Sequence, residues 1–201
     1  MDYSLIITLF LFGIIGGFIS GLLGVGGGII FVPVLSTLLA SLGYGNQELT
    51  KYVLANSFAA TFFAGAISTY KQYKLNSFHP KKILLTSLLA IPSSLLITHL
   101  IAAGTWYSKE KFSYFFIVLL AFMLYRMLAS SKEIFKPNSK ELQPWHFPVT
   151  GALTGIVSGL SGLGGGIIMV PLFTQYLKLD IKKAAAISIG VIPIMMIPML
   201  I

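Results

Sequence analysis

The sequence contains no cysteine and few charged residues. The lack of cysteine excludes a disulfide framework, a thiolate nucleophile and a metal site built on sulfur. Charged residues make up 10% of the chain, against roughly 25% in an ordinary soluble domain. The hydrophobic fraction is 56%, and long apolar runs recur from end to end. This composition predicts an all-α protein that crosses a membrane several times.

The apolar runs carry no Asp, Glu, Lys or Arg near their centres. A carboxylate proton relay of the kind found in many transporters is therefore not expected. The sequence has no ligand spacing for a metal and no Ser/His/Asp constellation, so it predicts no metal site, no other cofactor and no enzyme. A dinucleotide fingerprint beginning at Gly24 would need a glycine where Ile29 stands.

The net charge of +8 is concentrated in a few loops. Eleven of the fourteen basic residues lie in or beside the segments 71–82, 130–146 and 178–183. Because basic loops tend to stay on the cytoplasmic side, this distribution predicts a multi-pass protein of the cell (inner) membrane with these loops inside, and not a nucleic-acid-binding protein. The N-terminal run has no basic residue and no small-residue cleavage site, so it is predicted to be a retained span.

One motif occurs twice in the chain. Residues 13–34 align with residues 151–172 without a gap, and thirteen of the twenty-two pairs are identical. Two copies of an unusual motif indicate an internal duplication. An odd number of crossings separates the copies, so they are predicted to have opposite orientations. Inverted repeats of this kind are typical of secondary transporters.

The apolar runs divide the chain into two repeats. Each repeat is predicted to open with a pair of helices broken by glycines, either re-entrant or discontinuous. In the second pair, each helix is too short to cross a bilayer comfortably, which favours a re-entrant hairpin. The predicted organisation is a first repeat at 1–129 (broken pair 4–42, spans 52–70, 82–103 and 112–129), a cytoplasmic linker at 130–146, and a second, incomplete repeat at 147–201.

The glycines of the motif fall into two groups. The first recurs every four residues, at Gly13, Gly17 and Gly21 and at Gly151, Gly155 and Gly159. This spacing predicts a helical face that another helix approaches closely. The second group is too dense for a stable helix interior. It consists of Gly24, Gly26, Gly27 and Gly28 in the first copy and of Gly162, Gly164, Gly165 and Gly166 in the second.

The dense glycines predict a turn whose amide N–H groups point at one anion. The helices that follow are expected to begin at about residues 29 and 167, with Pro33 and Pro171 near their first turns. Two such breaks in inverted copies would meet near the membrane midplane, with the positive ends of two helices facing them. The alternative is a tight helical hairpin that binds nothing.

A few polar residues interrupt the spans. Ser20 and Ser158 recur in register beside the breaks, Ser161 precedes the second break, and Asn56 and Ser57 follow what is predicted to be a loop at Lys51. We expect these five residues to line a binding site with the glycines. Single Ser or Thr residues more often bond their own helix backbone, which is the alternative for each. Further candidates for the lining are Thr61, Ser68, Ser93 and Ser94.

The duplicated pattern GxxSGLxGxGGGxxxVP resembles the sulfite exporter TauE/SafE family of membrane permeases. The resemblance covers essentially the whole chain and implies transport of a sulfur-containing or organic anion such as sulfite, sulfoacetate or a related sulfonate. The motif residues that it points to are Ser20–Gly28 with Pro33, and Ser158–Gly166 with Pro171. Members usually continue for two or more further spans, so the chain is expected to be a fragment or a truncated product.

The resulting hypothesis is a permease that moves a small anion through the lipid bilayer by alternating access. One alternative is a cation-coupled carrier of a neutral metabolite, in which loop carbonyls hold the ion. Another is a membrane scaffold that transports nothing. The sequence also leaves open a homodimer in which two chains complete each other.

Overall fold

The computed structural model describes residues 7, 10–18, 28–43, 45–104, 106–130 and 143–200, without the side chains of 46, 47 and 126–130. All regular structure in these ranges is helical, as the composition predicts. The helices are α1 (10–18), α2 (Gly28–Ser41), α3 (Asn46–Lys74), α4 (Pro80–Ala103), α5 (Lys109–Ser130), α6 (His146–Ser161), α7 (Gly166–Pro171), continued by a π-helical turn (Leu172–Tyr176), and α8 (Ile181–Met196), followed by a 3₁₀ turn (Ile197–Met199).

Three of the described helices are long and apolar enough to cross a membrane: Glu48–Lys74, Pro80–Ala103 and Ile181–Met199. The prediction of a multi-pass α-helical membrane protein is therefore confirmed. The span predicted at 52–70 is part of α3, which begins earlier, at Asn46. The prediction of a loop at Lys51 is therefore wrong. Lys51 lies within α3, and its ammonium group donates a hydrogen bond to Ala102 O at 2.8 Å. A long lysine side chain can reach a polar partner from inside a helix, so its charge does not end the span.

The contacts between helices give their directions. Along α6, Gly151 lies against Thr86 of α4 and Gly159 lies against Ile97, so α4 and α6 run parallel. Along α8, Ile189 O accepts a hydrogen bond from Thr69 Oγ1 of α3 at 3.0 Å, while Ile192 lies against Gly65. The residue numbers rise in opposite directions, so α3 and α8 are antiparallel.

The N-termini of α4, α6 and α8 lie at one end of the bundle. The Lys82 ammonium group of α4 lies 5.8 Å from the centroid of the Phe147 ring at the start of α6. Lys82 also experiences the charge of Lys183 at the start of α8. The turn between α3 and α4 is at the same end. We call it the basic end, because described parts of all three lysine-rich segments meet there.

Helix α8 lies at the centre of the described structure. Most of its side chains are buried, among them Ile187, Ile192, Met195 and Met196. It packs on α3, α4 and α7. Small residues allow this packing, since a Cβ on Gly190 would overlap the Ile83 side chain of α4. A helix that is surrounded on several sides is expected to be apolar on most of its surface, and after Lys183 the only polar side chain of α8 is Ser188.

Helices α6 and α7 form a hairpin. The rings of Phe147 and Phe173, near the two ends of the hairpin, have centroids 5.9 Å apart. The hairpin therefore begins and ends at the basic end, and the turn between its arms lies inside the bundle. With 16 residues, α6 carries the turn about 24 Å from its start at 1.5 Å per residue.

Helix α7 begins at Gly166, one residue before the predicted position, and the described part of α2 begins at Gly28. The prolines lie just beyond the first turn of their helices. Pro33 and Pro171 are each the sixth residue of their helix. After Pro171 the helix widens into the π-helical turn, where Leu177 N–H bonds Leu172 O at 3.3 Å. Proline has no N–H, so the chain is free to change its bonding pattern here.

Candidate functional site

The break between α6 and α7 is a buried turn made by glycines. Gly162, Gly164 and Gly165 have φ of +73°, +72° and +73°, a region that favours glycine. Gly162 N–H ends α6 by bonding Ser158 O at 2.9 Å. Gly165 precedes α7 without a side-chain cap, and its O accepts hydrogen bonds from Ile168 N–H at 3.1 Å and Met169 N–H at 3.0 Å. The N–H groups of Gly166 and Ile167, which come before them, have no acceptor within the helix. Residues 161–167 are all buried.

The same glycines allow neighbouring helices to touch the turn. A Cβ added to Gly162 would lie 3.1 Å from Leu54 Cδ2, and one on Gly164 would lie 2.5 Å from Thr61 Cγ2, both on α3. A Cβ on Gly165 would overlap the methyl group of Thr154 on α6. Any larger residue would therefore meet both an unfavourable backbone conformation and a steric clash. We call residues 162–166 the glycine turn.

Four buried hydroxyl groups surround the glycine turn. Ser57 and Thr61 lie on α3, and Thr154 and Ser158 lie on α6, all with no exposed surface. None of the four hydroxyls has a hydrogen-bond partner in the described part of the chain. We call these residues the hydroxyl cluster. Ser57 Cβ is 3.3 Å from the Cβ position of Gly162, so the α3 members approach the turn as closely as the α6 members do.

Other buried hydroxyls behave differently. Thr150 Oγ1 donates to His146 O at 2.8 Å, and Thr86 Oγ1 donates to Lys82 O at 2.8 Å. These local bonds are the usual arrangement in membrane helices. An unsatisfied buried polar group costs roughly 1–3 kcal/mol. Four such groups around one turn indicate a place where something else supplies the partners. Three further atoms without partners, Gln72 Oε1, Ser87 Oγ and Thr98 Oγ1, lie on α3 and α4.

The first copy of the motif reaches the same place. A Cβ added to Gly28 would lie 2.6 Å from Leu163 Cα and 2.9 Å from Gly162 O. Val32, one turn further along α2, lies against Gly162. The N-terminus of α2 therefore packs directly, backbone against backbone, on the glycine turn of the second copy. We call this contact the junction.

The predicted site residues are only partly brought together. Ser57, Ser158, Gly28 and the glycine turn lie at the junction. Ser161 lies beside them, but its hydroxyl already donates to Val157 O at 2.7 Å and accepts from Leu163 N–H at 3.3 Å. Ser20, Gly21, Gly24, Gly26 and Gly27 lie outside the described residues.

Asn56 lies apart from Ser57, although the two are adjacent in sequence. Its side chain is exposed, and Nδ2 donates to Tyr52 O at 2.8 Å. It lines a mostly apolar groove of about 450 Å³ between α1, α2 and α3, with Phe12, Phe31 and Phe63 among the other lining residues. Consecutive residues of a helix point about 100° apart. Adjacent polar residues are therefore a weak sign of a shared site.

The four-residue glycine stripes also differ in their surroundings. In the second copy, Gly151 and Gly155 lie against backbone carbonyls of α4, and Gly159 lies against Ile97. In the first copy, a Cβ on Gly13 or Gly17 would meet no described atom within 4 Å. There Gly16 is the tight position, since a Cβ added to it would lie 2.8 Å from the Phe31 ring.

Thr154 is the member of the hydroxyl cluster that the sequence analysis missed. It lies four residues before Ser158, and Thr61 lies four residues after Ser57. Residues four apart share a helix face. The spacing of hydroxyl residues along each helix was therefore a usable signal, and it is a better one than adjacency to a glycine.

Apart from Tyr107, the buried polar side chains of the described residues are all serine or threonine. The described part of the chain also contains no group of three or more His, Asp or Glu residues that could hold a metal ion. Tyr107, between α4 and α5, approaches the end of α6, where its hydroxyl donates to Leu160 O at 2.7 Å. Burial raises the pKa of the Tyr107 phenol above its usual range, so it stays neutral. The described residues of the site therefore offer hydroxyl and backbone amide dipoles but carry no fixed charge.

Comparison with known proteins agrees with this architecture. The family model described as "Sulfite exporter TauE/SafE" matches residues 9–201. A "probable membrane transporter protein" of Methanocaldococcus jannaschii is 29% identical over 92% of this chain and 67% of its own length. Similar proteins of Haemophilus influenzae and Bacillus subtilis are 27% and 24% identical, over 92% and 96% of this chain and 69% and 74% of their own.

No solved structure gives a significant match. The family match covers nearly all of the chain and includes both copies of the glycine motif. The chain therefore belongs to the sulfite exporter TauE/SafE family of membrane transporters.

Proposed function

We propose that this protein is a permease for a small anion and that the anion binds at the junction, between the glycine turn and the hydroxyl cluster. The observation that carries the proposal is the set of four buried hydroxyls without partners, Ser57, Thr61, Thr154 and Ser158. Hydroxyl groups donate hydrogen bonds to anions, and each hydrogen bond to a charged group contributes roughly 1.5–3 kcal/mol. A bound anion would therefore satisfy several of these groups at once.

The glycine turn supplies the remaining donors in this proposal. The backbone amides of Gly164, Gly165 and Gly166 follow one another through positive-φ conformations, an arrangement that can form a concave anion site. The role of Ser161 is then to hold the turn through its bond from Leu163 N–H. Ser20, Gly24, Gly26 and Gly27 would contribute the corresponding groups from the first copy, with Gly28 already at the junction.

We propose further that the two copies form an inverted repeat that works by alternating access. Two features support this. Helix α2 leaves the junction toward the N-terminus of α3, at the end opposite the basic end. Helix α7 leaves the junction toward the basic end, where Phe173 lies against Phe147. Two half-helices that leave one site in opposite directions are expected when a rocking motion exposes that site to each side in turn.

The basic end is proposed to face the cytoplasm of the cell. Its lysines come from segments 71–82 and 178–183, whereas the described basic residues at the other end are Lys51, Lys109 and Lys111. This asymmetry is the one that sets orientation in membrane proteins. The proposed substrate is sulfite or a related sulfur-containing or organosulfonate anion, in keeping with the name of the family. The curated relatives are named only as transporters.

The test is labelled-sulfite flux into proteoliposomes that contain the purified chain, with two matched variants. Thr154→Val removes a hydroxyl of the cluster, and Thr150→Val removes one that is bonded to His146 O one turn away on the same helix. We expect Thr154→Val to reduce flux by about tenfold or more, because one lost hydrogen bond to a charged ligand corresponds to roughly 1.5–3 kcal/mol. Thr150→Val should keep flux within about twofold while lowering stability by about 1 kcal/mol.

Equal flux in the two variants would remove the hydroxyl cluster from the site. Flux that depends on sodium and is not inhibited by any anion would favour a cation-coupled carrier of a neutral metabolite. Stable co-purification of another protein, without flux of any substrate, would favour a scaffold.

A further inference from the structure

The junction contains hydrogen-bonding groups but no fixed positive charge. Apart from the neutral Tyr107, every buried polar side chain in the described part of the chain is a serine or threonine. The sequence from 19 to 27, which completes the first break, also contains no charged residue. A substrate at the junction is therefore balanced by hydroxyl and amide dipoles only.

The charged groups on the helices around the junction lie toward the ends of those helices. On α3, Lys51 is six residues before Ser57, about 9 Å along the helix axis, and its ammonium group is bonded to Ala102 O. Tyr107 approaches through Leu160 O but is neutral. The other ionisable groups of α3, α6, α8 and the π-helical turn are Glu48, Tyr52, Tyr70, Lys71, Tyr73, Lys74, His146, Tyr176, Lys182 and Lys183.

The desolvation free energy of an ion that enters a buried site without fixed charge rises with the square of the ion's charge. It is therefore about four times larger for a dianion than for a monoanion. The attraction of neutral donors rises only in proportion to the charge. Sites that take doubly charged oxyanions commonly compensate with arginine or lysine, which this junction lacks. Hydroxyl groups also accept hydrogen bonds, so the cluster can bind an oxyanion that keeps one O–H.

We propose that the junction selects oxyanions with a single net charge, including the hydrogen forms of diprotic acids, and rejects the corresponding dianions. This inference rests on the proposed function and adds the charge class of the substrate. It predicts that the protonation state of the substrate itself produces a pH dependence of transport. Transport of a diprotic oxyanion should then fall as the pH rises through its second ionisation.

The test compares two sulfur oxyanions of similar shape and different charge. Methanesulfonate is a monoanion and sulfate is a dianion throughout the neutral range. Each is added at equal concentration and constant ionic strength to the sulfite flux assay. Each is also added to the purified chain in detergent, where binding to the native state raises the unfolding temperature. The second measurement does not depend on transport.

We expect methanesulfonate to inhibit flux at concentrations at least tenfold lower than sulfate, and to raise the unfolding temperature where sulfate does not. The temperature shift should be lost in Thr154→Val and kept in Thr150→Val, which places the binding at the cluster. Inorganic phosphate should inhibit more strongly at pH 6 than at pH 8, because its singly charged form dominates at the lower pH.

If sulfate inhibits flux and raises the unfolding temperature at least as strongly as methanesulfonate, the proposed selectivity is wrong. The proposal of an anion permease would still stand. If neither anion nor phosphate acts in either measurement, both this inference and the proposed function fail. A temperature shift by methanesulfonate that persists in Thr154→Val would also overturn the inference, because the binding would then lie elsewhere.

Discussion

The two copies of the motif are alike in sequence and different in surroundings. Gly155 and Gly17 occupy equivalent positions, yet Gly155 lies against the backbone of α4 while Gly17 borders an open groove. Thr154, a member of the hydroxyl cluster, corresponds to Gly16, which lies against the Phe31 ring. A duplicated sequence therefore leaves the role of each position to its neighbours. The second copy is where the described structure has its tightest packing.

The largest effect is expected at the glycine turn of the second copy. Gly165→Val places a β-branched residue at φ +73° and drives its side chain into Thr154. We expect flux to be abolished, because the turn must change its path, at a cost of roughly 1–3 kcal/mol for the backbone strain alone. The measurement is sulfite flux together with the amount of protein inserted in the membrane.

Gly45→Val is the matched control. Gly45 has φ of −67°, and a Cβ there would meet no described atom within 4 Å. It should insert and transport like the original chain. Retained flux in Gly165→Val at normal insertion would mean that the glycine turn does not form the site.

The sequence predicted the second break and the helices on either side of it well, because glycine acts locally. The start of α7 at Gly166 and the helical hairpin follow from glycine density and from segments too short to cross a bilayer. Which neighbours each helix face contacts could not be predicted in the same way. The spans are uniformly apolar, so no periodicity indicated that Ser57 faces the junction while Asn56 faces the groove. Lys51 was misplaced for a related reason, since a single charge was taken as the end of a helix.

The second prediction compares equivalent glycines of the two stripes. Gly155→Ala should lower the free energy of unfolding by about 1–3 kcal/mol, because the added methyl group overlaps Ala90 O and the Ser93 hydroxyl of α4. Gly17→Ala should be neutral or should stabilise by up to about 1 kcal/mol, since alanine is the better helix former and the space is open. Unfolding of both variants in a denaturing detergent series measures the difference. Equal destabilisation would show that the first stripe is also a packing surface.

The smallest effect concerns Tyr107, which connects the loop after α4 to the end of α6. Its hydroxyl donates a hydrogen bond to Leu160 O at 2.7 Å, two residues before the glycine turn, and the Tyr107 side chain is only 7% exposed. Tyr107→Phe keeps the ring and its contact with Phe112 but leaves Leu160 O without this donor. We expect a loss of about 0.5–1.5 kcal/mol in the free energy of unfolding.

Tyr114→Phe, at a side chain that is 73% exposed, is the control and should change little. Because burial raises the pKa of the Tyr107 phenol, the hydroxyl stays protonated and bonded throughout the neutral range. The difference in the free energy of unfolding between Tyr107→Phe and the original chain should therefore be constant from pH 6 to pH 9. It should shrink only as the pH rises beyond the ordinary pKa of tyrosine, about 10, where unfolding is favoured by ionisation of the exposed phenol. A difference that already falls between pH 6 and pH 9 would mean that another titrating group, and not this hydrogen bond, holds the end of α6.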